Sequence, residues 1–365
     1  MSALASPELL PPTVSGLRVI DLSQPLDKIG REFREALASV GFVYVQAQSM
    51  DSVFSEAFDT LREFFDLSVD VKTQSCSTNR ALRGYSPTCS ENFASLAGTK
   101  RPNDSVEKFR VGPLASHSKS PTPRTKAHAQ FYFPNTWPQQ PARLRPTVES
   151  LYAAVSVVAD RIAEGLASAL GLPISYFKER MRHPTSILTA NYFPETSPTG
   201  DLSSSTHIAA HTDVSLFTIV AEQVQVGSCR SSSGLEVLVG DDVWLPAPAK
   251  PGALIVNIGD CLSDWSSGAF ASTVHRVAHT PSQEEGVSRL SLAFFVTPDP
   301  ESSVDPRRLT EDRHVAATTS GDLVTDPEAR ETGVTPETLL DNELTYFEWR
   351  KQRIKRAMNI PRDKA

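Results

Sequence analysis

Residues 211–216 read His-Thr-Asp-Val-Ser-Leu, and residues 272–277 read Ser-Thr-Val-His-Arg-Val. In an extended chain, positions i and i+2 project to the same side, so the His211 imidazole and the Asp213 carboxylate face one point. A third ligand has to come from elsewhere. His275, 62 residues beyond Asp213, is the best placed, because its hexapeptide reads as a late strand. Two histidines and one carboxylate on one face of a metal leave the opposite positions open, an arrangement that suits non-haem Fe(II) chemistry with oxygen. An isolated His-x-Asp is common by chance, and two rival histidines exist. His207 precedes His211 by four residues, a spacing that serves a helix, in a stretch whose Pro and Ser punctuation argues against one. His279 lies on the same strand side as His275, nearer the strand end. Both are read as structural or supporting groups.

A second pair raises the specificity. Arg289-Leu290-Ser291 places a guanidinium and a hydroxyl on one strand face, a good receiver for a carboxylate because Arg offers two parallel N–H bonds and Ser a third. It follows His275 by 14 residues, room for one hairpin.

Working outward, the C-terminal half reads as short strands at Ile187–Phe193, Leu216–Val220, Leu235–Val239, Ala253–Ile258, Val274–His279 and Leu290–Val296, separated by Pro, Gly and Ser. That pattern predicts an all-β barrel or double-sheet jelly roll. Ahead of it, Leu151, Val155, Val158, Ile162, Leu166 and Leu170 form a helical stripe closed by Gly171 and Pro173. The N-terminal third predicts a strand at Leu17–Asp21, a helix carrying Ile29, Phe33, Leu37 and Val40 up to Gly41, a strand at Phe42–Val45, and a helix carrying Val53, Ala57, Leu61 and Phe64. Residues 68–145 read as a long polar loop. A last helix is expected from Thr335 as N-cap and Pro336, with Leu340, Leu344, Phe347, Ile354 and Met358 on one face.

Of the 365 residues, 39% are hydrophobic and 22% charged, which excludes a disordered or collagen-like chain. A net charge of −7 and the lack of any GxGxxG or GxxxxGK[ST] leave no footprint for nucleic acid, anionic membrane or a phosphate loop. Cys76, Cys89, Cys229 and Cys261 form no CxxC and point to a reducing compartment. The first residues carry neither a cationic nor an apolar signal region, and Leu151–Leu172 contains Asp160, Arg161 and Glu164, so a cytoplasmic protein without a membrane span is expected.

In this order the motifs resemble the iron(II)/2-oxoglutarate-dependent dioxygenases of the isopenicillin N synthase-like family. The resemblance covers nearly the whole chain. It runs through Val19-Ile20-Asp21-Leu22, Gly41-Phe42-Val43-Tyr44-Val45, Arg83-Gly84-Tyr85, Pro134-Asn135-Thr136-Trp137-Pro138 and Asn191-Tyr192-Phe193-Pro194. Its most specific part is His211-Thr212-Asp213, Gly234-Leu235-Glu236-Val237, Asn257-Ile258-Gly259-Asp260, the hexapeptide around His275, and Arg289-Leu290-Ser291 with Phe294-Phe295. It implies a mainly β fold with flanking helices and a double-stranded β-helix (jelly-roll) core. It implies that His211, Asp213 and His275 bind Fe(II), and that Arg289, Ser291 and Asn191 hold the co-substrate 2-oxoglutarate. The expected activity is C–H abstraction from a small molecule, secondary-metabolite or amino-acid-derived, giving hydroxylation, desaturation or ring closure with succinate and CO2. Dioxygen is the oxidant, ascorbate the expected activator, and a monomer the expected state.

Relatives often carry Tyr where this chain has Phe193, so one hydrogen bond to the co-substrate is missing or replaced; Tyr192 cannot supply it, because strand neighbours face opposite ways. The chain also departs at Gly227–Ser233, an insert in place of a short turn, and at Gln46-Ala47-Gln48. A 2-oxoglutarate-independent oxidase of the same family, and a non-catalytic receptor on the same fold, stay open as alternatives. Substrate contacts are expected from Arg83, Tyr85, Phe109 and Arg110 in the linker, and from Phe295 and the Tyr346–Phe347 region as pocket closure. Basic residues in the pocket would point to a carboxylate-bearing substrate. Residues 1–150 are read as a mixed N-terminal region, 151–320 as the catalytic core with its leading helix, and 321–365 as a C-terminal helix, together one catalytic unit.

Overall fold

The computed structural model describes residues 16–76, 82–91, 104–114, 129–183, 185–194, 206–223, 234–278, 288–320 and 343–358. In chain order the first half comprises β1 (Val19–Asp21), α1 (Leu26–Leu37), β2 (Phe42–Gln46), α2 (Asp51–Phe65), α3 (Val69–Thr73), β3 (Gly84–Ser86), β4 (Glu107–Val111), α4 (Leu144–Ala169) and α5 (Tyr176–Glu179). Then follow β5 (Ile187–Phe193), β6 (Thr206–His211), β7 (Phe217–Glu222), β8 (Leu235–Leu238), β9 (Trp244–Pro246), β10 (Ala253–Ile258), α6 (Asp260–Trp265), β11 (His275–Ala278), β12 (Arg289–Val296), α7 (Pro306–Ser320) and α8 (Tyr346–Met358).

Two sheets form, an eight-stranded one in the order β1-β2-β10-β7-β12-β5-β4-β3 and a four-stranded one in the order β6-β11-β8-β9. Apart from the parallel β1–β2 pair, the strand pairs are antiparallel. The period-two pattern of the large sheet sorts its side chains. Leu290, Leu292, Phe294 and Val296 of β12 join Leu188 and Ala190 of β5 and Phe109 and Val111 of β4 in the main core. That core also takes the stripe of α4 (Leu151, Val155, Ile162, Leu166) and the apolar faces of α1 and α2, so the helices cover this side of the sheet. Gly165 of α4 lets α1 approach closely, since a Cβ there would lie 2.6 Å from the Phe33 ring. The other face turns toward the small sheet: Phe42, Tyr44 and Ile255 pack on Leu235 and Val237, and Phe193 and Val106 pack on Ile208. Two sheets with a shared interior make the jelly roll that the strand punctuation predicts.

Several expectations need correction. The polar stretch 68–145 is not one loop: it contributes α3, β3 and β4, and β4 pairs with β5 through Lys108↔Asn191 and Arg110↔Thr189. Its alternation of charged and apolar residues is a strand period, concealed because the charged side faces an interior cavity rather than solvent. Strands β6 and β9 and helices α5, α6 and α7 have no counterpart among the expected elements. No hairpin joins β11 to β12, since β11 pairs with β6 and β8 in the small sheet and β12 with β5 and β7 in the large one. Gly41 does not end α1, which stops at Leu37; it sits at φ +67°, where a Cβ would strike the Ala271 carbonyl, and turns the chain into β2. Thr335, Pro336, Leu340, Cys229, His279 and the insert at 227–233 lie outside the described residues. No helix among the described residues is long and apolar enough to cross a membrane.

Candidate metal centre

His211 ends β6 and His275 opens β11, directly paired across the small sheet. Asp213 follows two residues later, just beyond the strand. Its Oδ1 lies 3.7 Å from His211 Nε2 and 3.8 Å from His275 Nε2, and the three ligand atoms lie within 4.8 Å of one another. Among the described residues no other group of three or more His, Cys, Asp or Glu has this geometry. His207 is buried and packs edge-on against Phe193 instead.

The surroundings assign the atoms. His211 Nδ1 lies 2.8 Å from the Ala209 carbonyl and His275 Nδ1 3.1 Å from the Thr273 carbonyl. A carbonyl can only accept, so each Nδ1 carries a proton and each Nε2 is left as the ring atom turned toward the centre. Asp213 Oδ2 accepts from Thr218 Oγ1 at 2.6 Å and from Asn257 Nδ2 at 2.8 Å, which holds Oδ1 toward the histidines. Burial raises the Asp213 pKa, but the two histidines and these donors outweigh it and keep the carboxylate ionised. Burial, then the neighbouring His275, lowers the His211 pKa and keeps that ring neutral. Two imidazoles that turn Nε2 inward and one carboxylate, each backed by a hydrogen bond, fit a divalent transition metal.

The triad opens onto a cavity that reaches solvent, about 910 Å³ with the open space at its mouth included. Its main wall is the inward face of the large sheet, read in rungs. Arg289 pairs with Phe193. Ser291, Asn191, Lys108 and Glu222 form the next rung, and Ala293, Thr189, Arg110 and Val220 the one after. The Arg289 guanidinium lies 4.2 Å over the Phe193 ring, so the residue that lacks a tyrosine hydroxyl offers its π face to the cation. Burial lowers the Arg289 pKa, and Glu222 opposes that. Tyr192, on the opposite strand face, stacks on Phe65.

Of the expected substrate residues, Arg110 and Phe295 line this cavity, and Arg83, Tyr85, Phe109 and Phe347 are not among its lining residues. Tyr85 and Phe109 alternate to the helix side and pack with Phe64, with the Tyr85 hydroxyl donating to Glu107. Arg83 is buried and donates to the Phe131 carbonyl, and Phe347 packs edge-on to Phe131. Strand parity decides the placement of Tyr85 and Phe109, and parity is not readable where the strand itself is not legible.

Lys108, Glu222, Thr218 and Asn257 are lining residues that the sequence reading did not single out. Lys108 was within reach of it, because it stands two residues before Arg110. Its ammonium bonds Glu91 at 2.9 Å, and Arg110 grips the same carboxylate with two nitrogens. Burial and the nearby Arg110 push Lys108 down to about 8 against the pull of Glu91 and Asp104. Burial raises Glu91, but the two cations bring it to about 2.

Comparison with known proteins agrees with this architecture. Residues 184–298 match the family model of the 2OG-Fe(II) oxygenase superfamily, and residues 17–140 match the N-terminal model described as non-haem dioxygenase in morphine synthesis. A validamycin A dioxygenase of Streptomyces hygroscopicus subsp. limoneus is 29% identical over 276 residues, 74% of this chain and 72% of the relative. A homoarginine-6-hydroxylase of Glycine max is 26% identical over 300 residues, 79% of this chain and 81% of the relative. A putative 2OG-Fe(II) oxygenase family protein from Caulobacter crescentus shares the fold with a TM-score of 0.71 at 23% identity, over 93% of this chain and 98% of that one. Matches to both family models, on a fold shared over nearly the whole chain, make this protein a member of the 2OG-Fe(II) oxygenase superfamily, an oxidoreductase of the isopenicillin N synthase-like, 2-oxoglutarate-dependent kind.

Proposed function

We propose that His211, Asp213 and His275 hold the Fe(II), that Arg289 and Ser291 receive the distal carboxylate of 2-oxoglutarate with Asn191 beside them, and that a small molecule is oxidised against Lys108, Arg110 and Phe295. The observation that carries this is the convergence of the two Nε2 atoms and Asp213 Oδ1 on a cavity whose opposite wall presents the Arg289–Ser291 face.

When bound, the metal supplies the coordination and redox chemistry by which dioxygen oxidises 2-oxoglutarate to succinate and CO2 and the substrate loses a hydrogen. The protein's own groups orient and exclude. Thr218 and Asn257 fix the Asp213 carboxylate, and the two carbonyls fix the imidazole tautomers. Arg289, buried and braced on Phe193, sets the register of the co-substrate by paired N–H bonds. Phe42, edge-on to His275 at 5.3 Å, and Ile208 and Val277 keep this part of the cavity apolar. Lys108 and Arg110 share the single carboxylate of Glu91, so their side of the wall offers N–H donors and a residual positive charge. This favours a substrate with an oxygen-bearing group, a carboxylate in the simplest case. Two of the relatives named above are a validamycin A dioxygenase and a homoarginine-6-hydroxylase, and we extend the oxidation of a small molecule to this chain. We also propose that the chain works as one catalytic unit, as a cytoplasmic monomer; Cys76 and Cys261 are free thiols.

Anaerobic addition of Fe(II) and then 2-oxoglutarate is expected to give a weak visible charge-transfer band, and a substrate screen with Fe(II), 2-oxoglutarate and ascorbate to give succinate matched to product. His211→Ala is expected to abolish the band. A band that survives this substitution overturns the metal assignment, and product without succinate overturns the co-substrate assignment.

A further inference from the structure

The geometry points to Arg353, on the C-terminal helix α8, as a positioning residue for the metal site: it clamps Asp260 and Thr212 and so holds the metal-binding loops in alignment. This rests on the reading of His211, Asp213 and His275 as metal ligands. Thr212 stands between two of those ligands, and its hydroxyl donates to Asp260 Oδ2 at 3.0 Å. The Asp260 backbone N–H donates to the Asp213 carbonyl at 2.7 Å. Its Oδ1 accepts from Ser272 Oγ at 2.6 Å, and the next residue, Thr273, provides the carbonyl that orients His275. A single carboxylate therefore ties the segment 211–213 to the segment 272–275.

Arg353 completes the node. Its Nε donates to Asp260 Oδ2 at 2.7 Å and its terminal nitrogen to Thr212 Oγ1 at 3.2 Å. With side-chain exposures of 28% for Arg353 and 12% for Asp260, the pair is shielded enough to hold one geometry. Strand β10 enters the node at its end. Asn257 donates to Asp213, and Gly259 lies so close to Ser215 that a Cβ would meet its carbonyl at 2.2 Å, leaving the loop little slack. The rest of α8 is anchored without touching Asp260. Tyr346 is buried, Trp349 Nε1 donates to Asp264 at 2.9 Å, and Phe347 packs on Phe131. Docking of the helix and clamping of the node are thus separable by substitution.

The test is anaerobic Mn(II) binding to the full-length protein in the presence of 2-oxoglutarate, read by the electron paramagnetic resonance of free Mn(II), with unfolding curves for every variant. Removing a partner that orients metal ligands typically weakens affinity 10- to 100-fold, and an effect of about 10-fold is expected for Arg353→Gln. Arg353→Lys, which keeps the charge but not the fork, is expected to fall between. Trp349→Phe, which loosens α8 elsewhere, is expected to stay within about twofold. Arg353→Gln added to Thr212→Val is expected to cost little beyond Thr212→Val alone, because both act through one node. Wild-type affinity in folded Arg353→Gln, or an equal loss in Trp349→Phe, overturns the clamp. His211→Ala separates the two ideas: if it binds Mn(II) like wild type, the ligand reading fails; if it abolishes binding while Arg353→Gln does not weaken it, the clamp alone fails.

Discussion

Lys108→Met is expected to stabilise the protein while impairing it. The ammonium of Lys108 has 3% side-chain exposure and bonds Glu91, yet burial and Arg110 still push its pKa from 10.5 down to about 8. At about 1.36 kcal/mol per pH unit, holding this lysine charged at pH 7 costs ~3 kcal/mol relative to the unfolded chain. Met keeps the stem and drops the charge, and Glu91 retains its two contacts to Arg110. Allowing for relaxation, the variant should gain about 1–3 kcal/mol at pH 7, read from the urea midpoint. The pH dependence carries the sign. Between pH 8 and 10.5 the unfolded chain still holds the Lys108 proton that the folded chain has lost, so wild-type stability rises through this window relative to the variant. The two curves should converge near pH 10.5. Turnover should fall through substrate KM, with the KM for 2-oxoglutarate unchanged. A variant destabilised by more than ~1 kcal/mol at pH 7, or a gap that stays constant up to pH 10, refutes the reasoning.

Phe193→Leu removes the ring beneath Arg289, an interaction of ~1–2 kcal/mol at a desolvated site, and should raise the KM for 2-oxoglutarate roughly 5- to 30-fold with Mn(II) affinity unchanged. An unaltered KM would show that the ring does not support the guanidinium. Thr218→Val keeps the shape but removes the donor to Asp213 Oδ2, and Mn(II) affinity should drop about 10- to 100-fold; binding equal to wild type would count against this role for the hydroxyl.

What the sequence disclosed follows from how the information is stored. Short runs of mainly apolar and β-forming residues, such as Ile187–Phe193 and Ala253–Ile258, are legible to their observed bounds. The triad was legible because two of its members sit two residues apart and the third lies in a strand-like hexapeptide. Strand β4 was not, because Lys108 and Arg110 look like a solvated face and instead meet a cavity. Once that strand is lost, so is its parity, and Phe109 goes to the wrong side of the sheet while Lys108 is passed over. The Asp260 node was invisible for another reason. It joins residues 212, 260, 272 and 353, and no local period records a contact across that much chain.

The rung pattern of the large sheet bears on how such an enzyme can change its substrate. On β12 the residues that face the cavity and those that hold the helix layer alternate one by one, Arg289 and Ser291 against Leu290 and Leu292. Chemistry and stability are therefore interleaved at single-residue pitch along the same strand. One inserted or deleted residue would exchange the two sets outright and lose both. New specificity can arise within β4, β5 and β12 only by substitution at every second position, whereas changes of length are confined to the connections. Lineages that diverge in substrate should therefore keep these strand lengths constant, and record their history as alternating bands of fixed and drifting positions.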